Sequence, residues 1–189
     1  LQERIGKGGK KFKLFKFTTM LKNSPNIGTG TVTMRNDPRV LPVGKLLRKT
    51  KINELPQLYN IFIGDMSVIG PRPLTAQTFG AYSDNTQSVI KQVRPGLSGV
   101  GSIIFRSEEE IMHDVTASVD FYSNVIAPYK GALEEWFVSK KSLYIYFVAI
   151  FVTVWAVFIP STKIAWRVFH DLPEPPSELR QPLNYYMSN

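Results

Sequence analysis

Residues 48–73, RKTKINELPQLYNIFIGDMSVIGPRP, constrain the fold more than any other stretch of this chain. Ile52, Leu55, Leu58, Tyr59, Ile61 and Phe62 recur at helical spacing, which predicts a short helix with that apolar face buried. Asn53 and Glu54 fall at its start, where unpaired N–H groups and the helix dipole favour anions. Gly70-Pro71-Arg72-Pro73 forms a turn beyond it. A guanidinium grips phosphate bidentately, so Arg48 and Arg72 on either side of a helix-start acid point to a phosphate site. Taken singly, each arginine has a plainer explanation as a surface ion pair worth little.

Composition narrows the partners. A chain of 189 residues, 43% hydrophobic and 20% charged, is long enough for one domain with a real core and too apolar to be a disordered tail. Its net charge of +8 calls for an anionic partner: phosphorylated substrates, an anionic membrane surface or nucleic acid. No stacking-aromatic or recognition-helix motif accompanies the charge, so a nucleic-acid-binding module is the lesser alternative. The absence of cysteine excludes disulfides, zinc fingers and a thiol nucleophile. His113 and His170 are too few and too far apart for a transition-metal site.

The N-terminal residues 1–22 carry Arg4, Lys16 and five further lysines against the single acid Glu3. Phe12, Leu14, Phe15 and Phe17 partly alternate with lysine beyond Gly8-Gly9, which predicts a hairpin with a half-buried second strand. That basic edge is either a solvated guard against aggregation or a collar for headgroups or a diphosphate. A loop with a short strand at 31–34 follows. Asp37-Pro38-Arg39 is a turn that either closes on itself as a salt bridge or meets substrate. Short helices are expected at 45–48 and 75–82, a turn at 83–85, and a brief helix or extended stretch at 89–93. The glycines at 96, 99 and 101 serve close backbone approach, because the lysine and spacing of a phosphate-binding P-loop are missing. Ser107 with Glu110 has capping-box spacing, which predicts a helix from about Glu108 whose acids are a cap and a solvated face.

Pro128 opens a further helix that ends at Lys140-Lys141. The run 143–160 is the most apolar part of the chain, and Thr153 is its one polar side chain. At about 1.5 Å per residue it approaches the thickness of a bilayer core and barely reaches it. Tyr144, Tyr146 and Trp155 favour membrane contact over a buried core helix, while Lys140, Lys141, Lys163 and Arg167 flank the run without asymmetry. The organisation expected is a catalytic domain at 1–141, a membrane-contacting apolar helix at 142–170 and an extended or disordered Pro-rich tail at 171–189.

Seven segments now stand in one order: Asp37-Pro38-Arg39, Pro42-Val43-Gly44-Lys45, Leu47-Arg48-Lys49-Thr50, Asn53-Glu54-Leu55-Pro56-Gln57-Leu58, Gly64-Asp65-Met66-Ser67, Gly70-Pro71-Arg72-Pro73 and Arg94-Pro95-Gly96-Leu97-Ser98-Gly99. In them the chain resembles the bacterial sugar transferases, monotopic phosphoglycosyl transferases that move a sugar phosphate from a nucleotide sugar to a polyprenol phosphate. The resemblance implies an α/β fold, a mostly helical monotopic membrane-associated domain with a small strand element and a C-terminal apolar helix. It implies a UDP-sugar donor, an undecaprenyl (polyprenyl) phosphate acceptor, contact with membrane lipid, and a place on the cytoplasmic face of the bacterial inner membrane. The product would start a lipid-linked glycan for O-antigen, capsule or exopolysaccharide, and homo-oligomers are left open. Family members carry a membrane-embedded segment upstream, and this chain, opening at Leu1, looks like a domain whose beginning is absent.

The site expected on this basis has Glu54, Asn53 and Asp65 as catalytic residues and Arg48, Arg72, Lys16 and Arg94 as phosphate contacts. Glu54 and Asp65 would hold Mg²⁺, which takes a few carboxylates together with substrate phosphates. The chain departs from the family at two points: Thr18 stands where arginine is usual, and Asn53-Glu54 where the family has Asp-Glu. The family's aspartate is taken as a nucleophile that forms a covalent phosphosugar and releases UMP. An amide has no ionised form near neutral pH and is a poor substitute, whereas Asn is a strong helix cap. Three readings follow. Glu54 takes over as nucleophile or serves as base and metal ligand for direct transfer, Asp65 or Asp37 supplies the carboxylate, or the protein is an inactive membrane scaffold.

Overall fold

The computed structural model describes residues 1–28, 37–106, 108, 120–159 and 163–185. The strand expected at 31–34 and nearly all of the helix expected from Glu108 lie outside the described residues. About half of the chain is helical, with four short strands among the described residues.

Gly8 and Gly9, with φ of 70° and 76°, turn the chain between β1 (Gln2–Ile5) and β2 (Lys11–Leu14). The two strands pair antiparallel, Gln2 opposite Leu14 and Ile5 opposite Lys11. In β2 the lysines are exposed and Leu14 is buried, as the alternation requires. Asp37 and Arg39 then form a buried clamp rather than a substrate contact: Arg39 Nη2 meets Asp37 Oδ2 at 2.5 Å, and Nη1 donates to the carbonyls of Ser24 and Ile27 at 2.8 and 2.7 Å. That clamp holds the loop before α1 (Pro42–Lys49), whose proline sits in the first turn, where its missing N–H leaves no bond unmade.

The central stretch departs from expectation. Lys51 adopts a left-handed conformation with φ of 61° and ends α1, so Ile52–Glu54 is a single 3₁₀ turn, and Pro56 separates it from the six-residue α2 (Gln57–Phe62). Asn53 and Glu54 do not stand at the start of a regular helix, and no side-chain cap precedes α2. The expected burial is also inverted: Ile52, Leu55, Leu58, Tyr59 and Phe62 are exposed, Phe62 at 86%, whereas Asn53, Gln57 and Asn60 are buried. The inner face is polar because it packs on the free backbone of the segment around β2, whose N–H and C=O groups need partners. Asn60 supplies two of them, accepting from the Phe15 N–H at 3.0 Å and donating to the Lys13 carbonyl at 2.9 Å.

A parallel pair, β3 (Ser67–Ile69) beside β4 (Gly96–Ser98), carries the next turn and returns the chain through α3 (Ala76–Gly80) and α4 (Asp84–Ile90). Thr75 and Thr78 cap α3 reciprocally, and Ser83 caps α4, so the turn expected at 83–85 is a helix start. The main core lies where α5 (Val100–Ile104) meets α6 (Ala127–Lys140), entered through one π turn at Tyr122–Ile126. Val100, Ile126 and Leu133 are fully buried there.

The apolar run forms α7 (Leu143–Phe158), started by the Ser142 hydroxyl. It buries Ala149, Val152 and Ala156 on one side and turns Leu143, Tyr144, Phe147, Phe151 and Trp155 outward. Its one polar side chain points to the core side, where Thr153 Oγ1 lies 2.9 Å from the Ser98 hydroxyl of β4. Among the described residues no helix is long and apolar enough to cross a membrane. After α8 (Lys163–Val168), the Pro-rich tail is not simply extended or disordered: α9 (Ser177–Arg180) forms, Leu179 and Leu183 enter the core, and Tyr129 bonds the Pro173 carbonyl at 2.8 Å.

Candidate functional site

Cations from five separate segments gather about Lys16 and Glu54. Arg4 comes from β1, Lys16 from just beyond β2, Arg48 from the last turn of α1, Arg72 from the Gly70–Pro73 turn and Arg106 from the end of α5. Each placement follows from a local rule already described: the hairpin turn for Arg4, the Asn60 staple for Lys16 and the left-handed Lys51 for Glu54. The turn that carries Arg72 is fixed by backbone packing against the β4 loop. A Cβ on Gly96 would lie 2.1 Å from the Gly70 nitrogen, and one on Gly99 2.2 Å from the Gly70 oxygen. Those glycines allow two backbones to touch.

The electrostatics are those of a site lacking its counter-charge. Burial, then Arg4, Arg72 and Arg48, push the Lys16 ammonium down to about 8, and Glu54 only partly offsets them. Burial and Arg72 lower the Arg4 guanidinium to about 10. Arg106 is lowered by burial, with Glu54 opposing. Arg72 is open to solvent yet walled by protein; against that desolvation Glu54, and after it Glu108, hold it above its ordinary value. Two polar atoms at the site are buried without a partner among the described residues, Arg4 Nε and Asn53 Oδ1. A ligand with several anionic oxygens would satisfy the cations, and a donor or cation beside it would satisfy the Asn53 oxygen.

Of the residues predicted from sequence, Lys16, Arg48, Glu54 and Arg72 come together, with Asn53 beside Glu54. The other two lie at the opposite end of α2. Asp65 Oδ2 receives the Asn60 amide at 3.3 Å, and Arg94 Nη2 lies 3.8 Å from where a Cβ on Gly64 would stand. The helix between Glu54 and Asp65 alone accounts for about 9 Å, and among the described residues no three His, Cys, Asp or Glu side chains gather as metal ligands. The site residues that sequence reasoning passed over are Arg106 and, behind Arg72, Glu108, Lys130 and Glu134. Glu108 is no solvated acid, since it binds the buried Lys130 at 2.6 Å. A lysine and a glutamate four apart inside the apolar periodicity of α6 were the available signal.

Residues 1–160 match the family model described as bacterial sugar transferase. The chain belongs to that family. Among similar proteins, an undecaprenyl-phosphate galactose phosphotransferase of Salmonella typhimurium is 32% identical over 120 residues, 56% of this chain and 25% of that protein. A UDP-N-acetylgalactosamine-undecaprenyl-phosphate N-acetylgalactosaminephosphotransferase of Aeromonas hydrophila is 42% identical over 107 residues, 55% of this chain and 25% of its own. The exopolysaccharide production protein ExoY of Rhizobium meliloti is 35% identical over 135 residues, 64% of this chain and 59% of that protein. The chain thus spans about a quarter of the length of the first two relatives. Arg48 and Arg72 fall in the segments that carry the family resemblance, and Arg4, Lys16 and Arg106 outside them.

Proposed function

We propose that the protein transfers a sugar 1-phosphate from a UDP-sugar to undecaprenyl phosphate at the cytoplasmic face of the bacterial inner membrane, and so initiates a lipid-linked glycan. The observation that carries this reading is the gathering of Arg4, Lys16, Arg48, Arg72 and Arg106 with the Glu54 carboxylate among them. Transfer moves charge onto nonbridging phosphate oxygens, and fixed guanidinium groups stabilise it there. The bond between the β-phosphorus and its bridging oxygen to the α-phosphorus breaks, UMP leaves with that oxygen, and an acceptor oxygen takes its place on the β-phosphorus. Glu54 acts at this centre as nucleophile, or as base for direct attack by the polyprenyl phosphate. The relatives named for transfer onto undecaprenyl phosphate support the substrate pair.

Mg²⁺ fits this site with few protein ligands. Glu54 offers a carboxylate and Asn53, whose Oδ1 is buried without a partner among the described residues, an amide oxygen; the diphosphate would complete the shell. Bound there, the ion supplies further neutralisation of the leaving phosphate. Membrane contact is supported by the apolar side chains that α1, the 3₁₀ turn and α2 turn outward, among them Val43, Leu46, Leu55 and Phe62, and by the outer face of α7. The test supplies the full-length protein with Mg²⁺, undecaprenyl phosphate and a panel of UDP-sugars. UMP release with one donor is expected, and none with any donor overturns the proposal.

A further inference from the structure

Behind Arg72 lies a polar stack that packing alone does not call for. Lys130 and Glu134 stand one turn apart in α6, 7% and 3% exposed, next to the fully buried Leu133. Buried charges are a net expense for the fold, and apolar residues of similar volume would serve stability at least as well. The two charges do not simply neutralise each other. Lys130 Nζ reaches Glu108 at 2.6 Å and lies over the rings of Phe105 and Tyr122, at 5.0 and 5.6 Å from their centroids. Glu134 turns to the backbone instead: its Oε1 accepts the Arg72 N–H, a long bond of 3.4 Å. The same oxygen is pressed against the start of α5, where a Cβ on Gly101 would lie 2.6 Å from it. Its other oxygen, Oε2, is buried without a partner among the described residues.

We infer that Glu134, with the Lys130–Glu108 pair beside it, is a positioning residue for Arg72: it fixes the Arg72 main chain so that the guanidinium faces phosphate before any ligand arrives. The inference rests on the proposed phosphate-gripping role of Arg72. Arg72 is held from three sides, its N–H by Glu134 and its charge by Glu54 and Glu108. A side chain at position 101 could be accommodated only by shifting the Glu134 carboxylate. Arg72 follows Pro71, which brings no N–H of its own, and a group fixed in advance loses little entropy on binding.

Inorganic pyrophosphate with Mg²⁺ is the probe, bound to the full-length protein and followed by calorimetry, so the measurement does not depend on turnover. The Glu134→Gln variant keeps an acceptor oxygen and is expected to bind within about threefold of wild type. Glu134→Leu is expected to weaken binding about tenfold. Combined with Arg72→Ala it should weaken binding no further than Arg72→Ala alone, since Glu134 acts through Arg72. If Glu134→Leu does not fold, Glu134→Asp, one methylene short of the Arg72 N–H, takes its place with the same expectation. Additive losses in the double variant, wild-type binding by Glu134→Leu, or no pyrophosphate binding by the wild type would each overturn the inference. Coupling without UMP release from any UDP-sugar keeps the positioning and sinks the proposed function; UMP release without coupling does the reverse.

Discussion

Asn60 treats Phe15 as a strand partner, accepting its N–H at 3.0 Å through Oδ1 while Nδ2 donates to the Lys13 carbonyl at 2.9 Å. One fully buried side chain thus replaces a neighbouring strand and sets the exit of β2, from which Lys16 enters the site. The Asn60→Leu substitution strands a donor and an acceptor at about 1–3 kcal/mol each. A marked drop in the urea midpoint is expected, together with weaker pyrophosphate binding as Lys16 loses its place. An unchanged midpoint would show that the amide is not the staple.

The contact of the Gly99 backbone with Gly70 leaves no room for a methyl group, since a Cβ would lie 2.2 Å from the Gly70 oxygen. The Gly99→Ala variant is expected to give no folded protein, because relief means parting the β3–β4 pair that carries Arg72. Gly80, with nothing within 4 Å of its virtual Cβ, is the control. Gly80→Ala should leave the melting temperature unchanged or raise it, by up to about 1 kcal/mol of stability. Equal melting temperatures for both variants would discard this account.

What could be read from sequence divides along physical lines. Turns, caps and strand alternation are local, so Gly8-Gly9, the half-buried β2 and α6 beginning near Pro128 were legible. The gathering of Arg48, Glu54 and Arg72 was legible too, since residues so close in the chain converge once the helices between them are short and broken, here at Lys51 and Pro56. The inner face of α2 was not. Helical periodicity marks one face as apolar without saying whether core or another surface covers it, and here a polar face is inside because a strand edge needed partners. Lys130 and Glu134 were missed because their partners, Glu108 and the Arg72 backbone, are long-range.

Under the proposed function, the reacting carboxylate belongs to Glu54 and not to Asn53. The amide has no ionised form, so the carboxylate of the pair is Glu54's. Glu54→Ala is expected to lower UMP release by at least about a hundredfold. Asn53→Asp, which restores the family's pair, should retain turnover. Intact mass after incubation with a UDP-sugar alone locates any phosphosugar adduct. Full turnover by Glu54→Ala would remove Glu54 from the reaction.

Lys16 should report ligand charge. With its ammonium lowered to about 8 by burial and by Arg4, Arg72 and Arg48, it is about half protonated at pH 8 in the free protein. A bound polyanion pulls that value up, so binding takes up protons near pH 8 and almost none near pH 6. Uptake of about half a proton is expected at pH 8 from calorimetry in two buffers of different ionisation enthalpy. Identical apparent enthalpies in both buffers would contradict it, and Lys16→Met should abolish the difference.

Glu134 gives stability a pH dependence of known sign. Burial raises its carboxyl from 4.5 to about 7, against the pull of the Arg72 N–H, Lys130 and the Arg72 charge. The other titratable groups in this stack are Glu108, Tyr82 and Tyr122, and the two phenols are themselves raised, chiefly by burial. A raised acid favours the protonated folded state. The contribution is therefore fully present below about pH 4.5, declines as pH rises, and is gone above about 7. Its span is at most about 3 kcal/mol. Glu134→Gln carries no such titration, so its unfolding free energy minus that of wild type should grow between pH 5 and pH 8, the variant becoming relatively more stable. Parallel curves for the two proteins would mean that Glu134 stays ionised in the fold across this range, held by Lys130 more tightly than its burial allows.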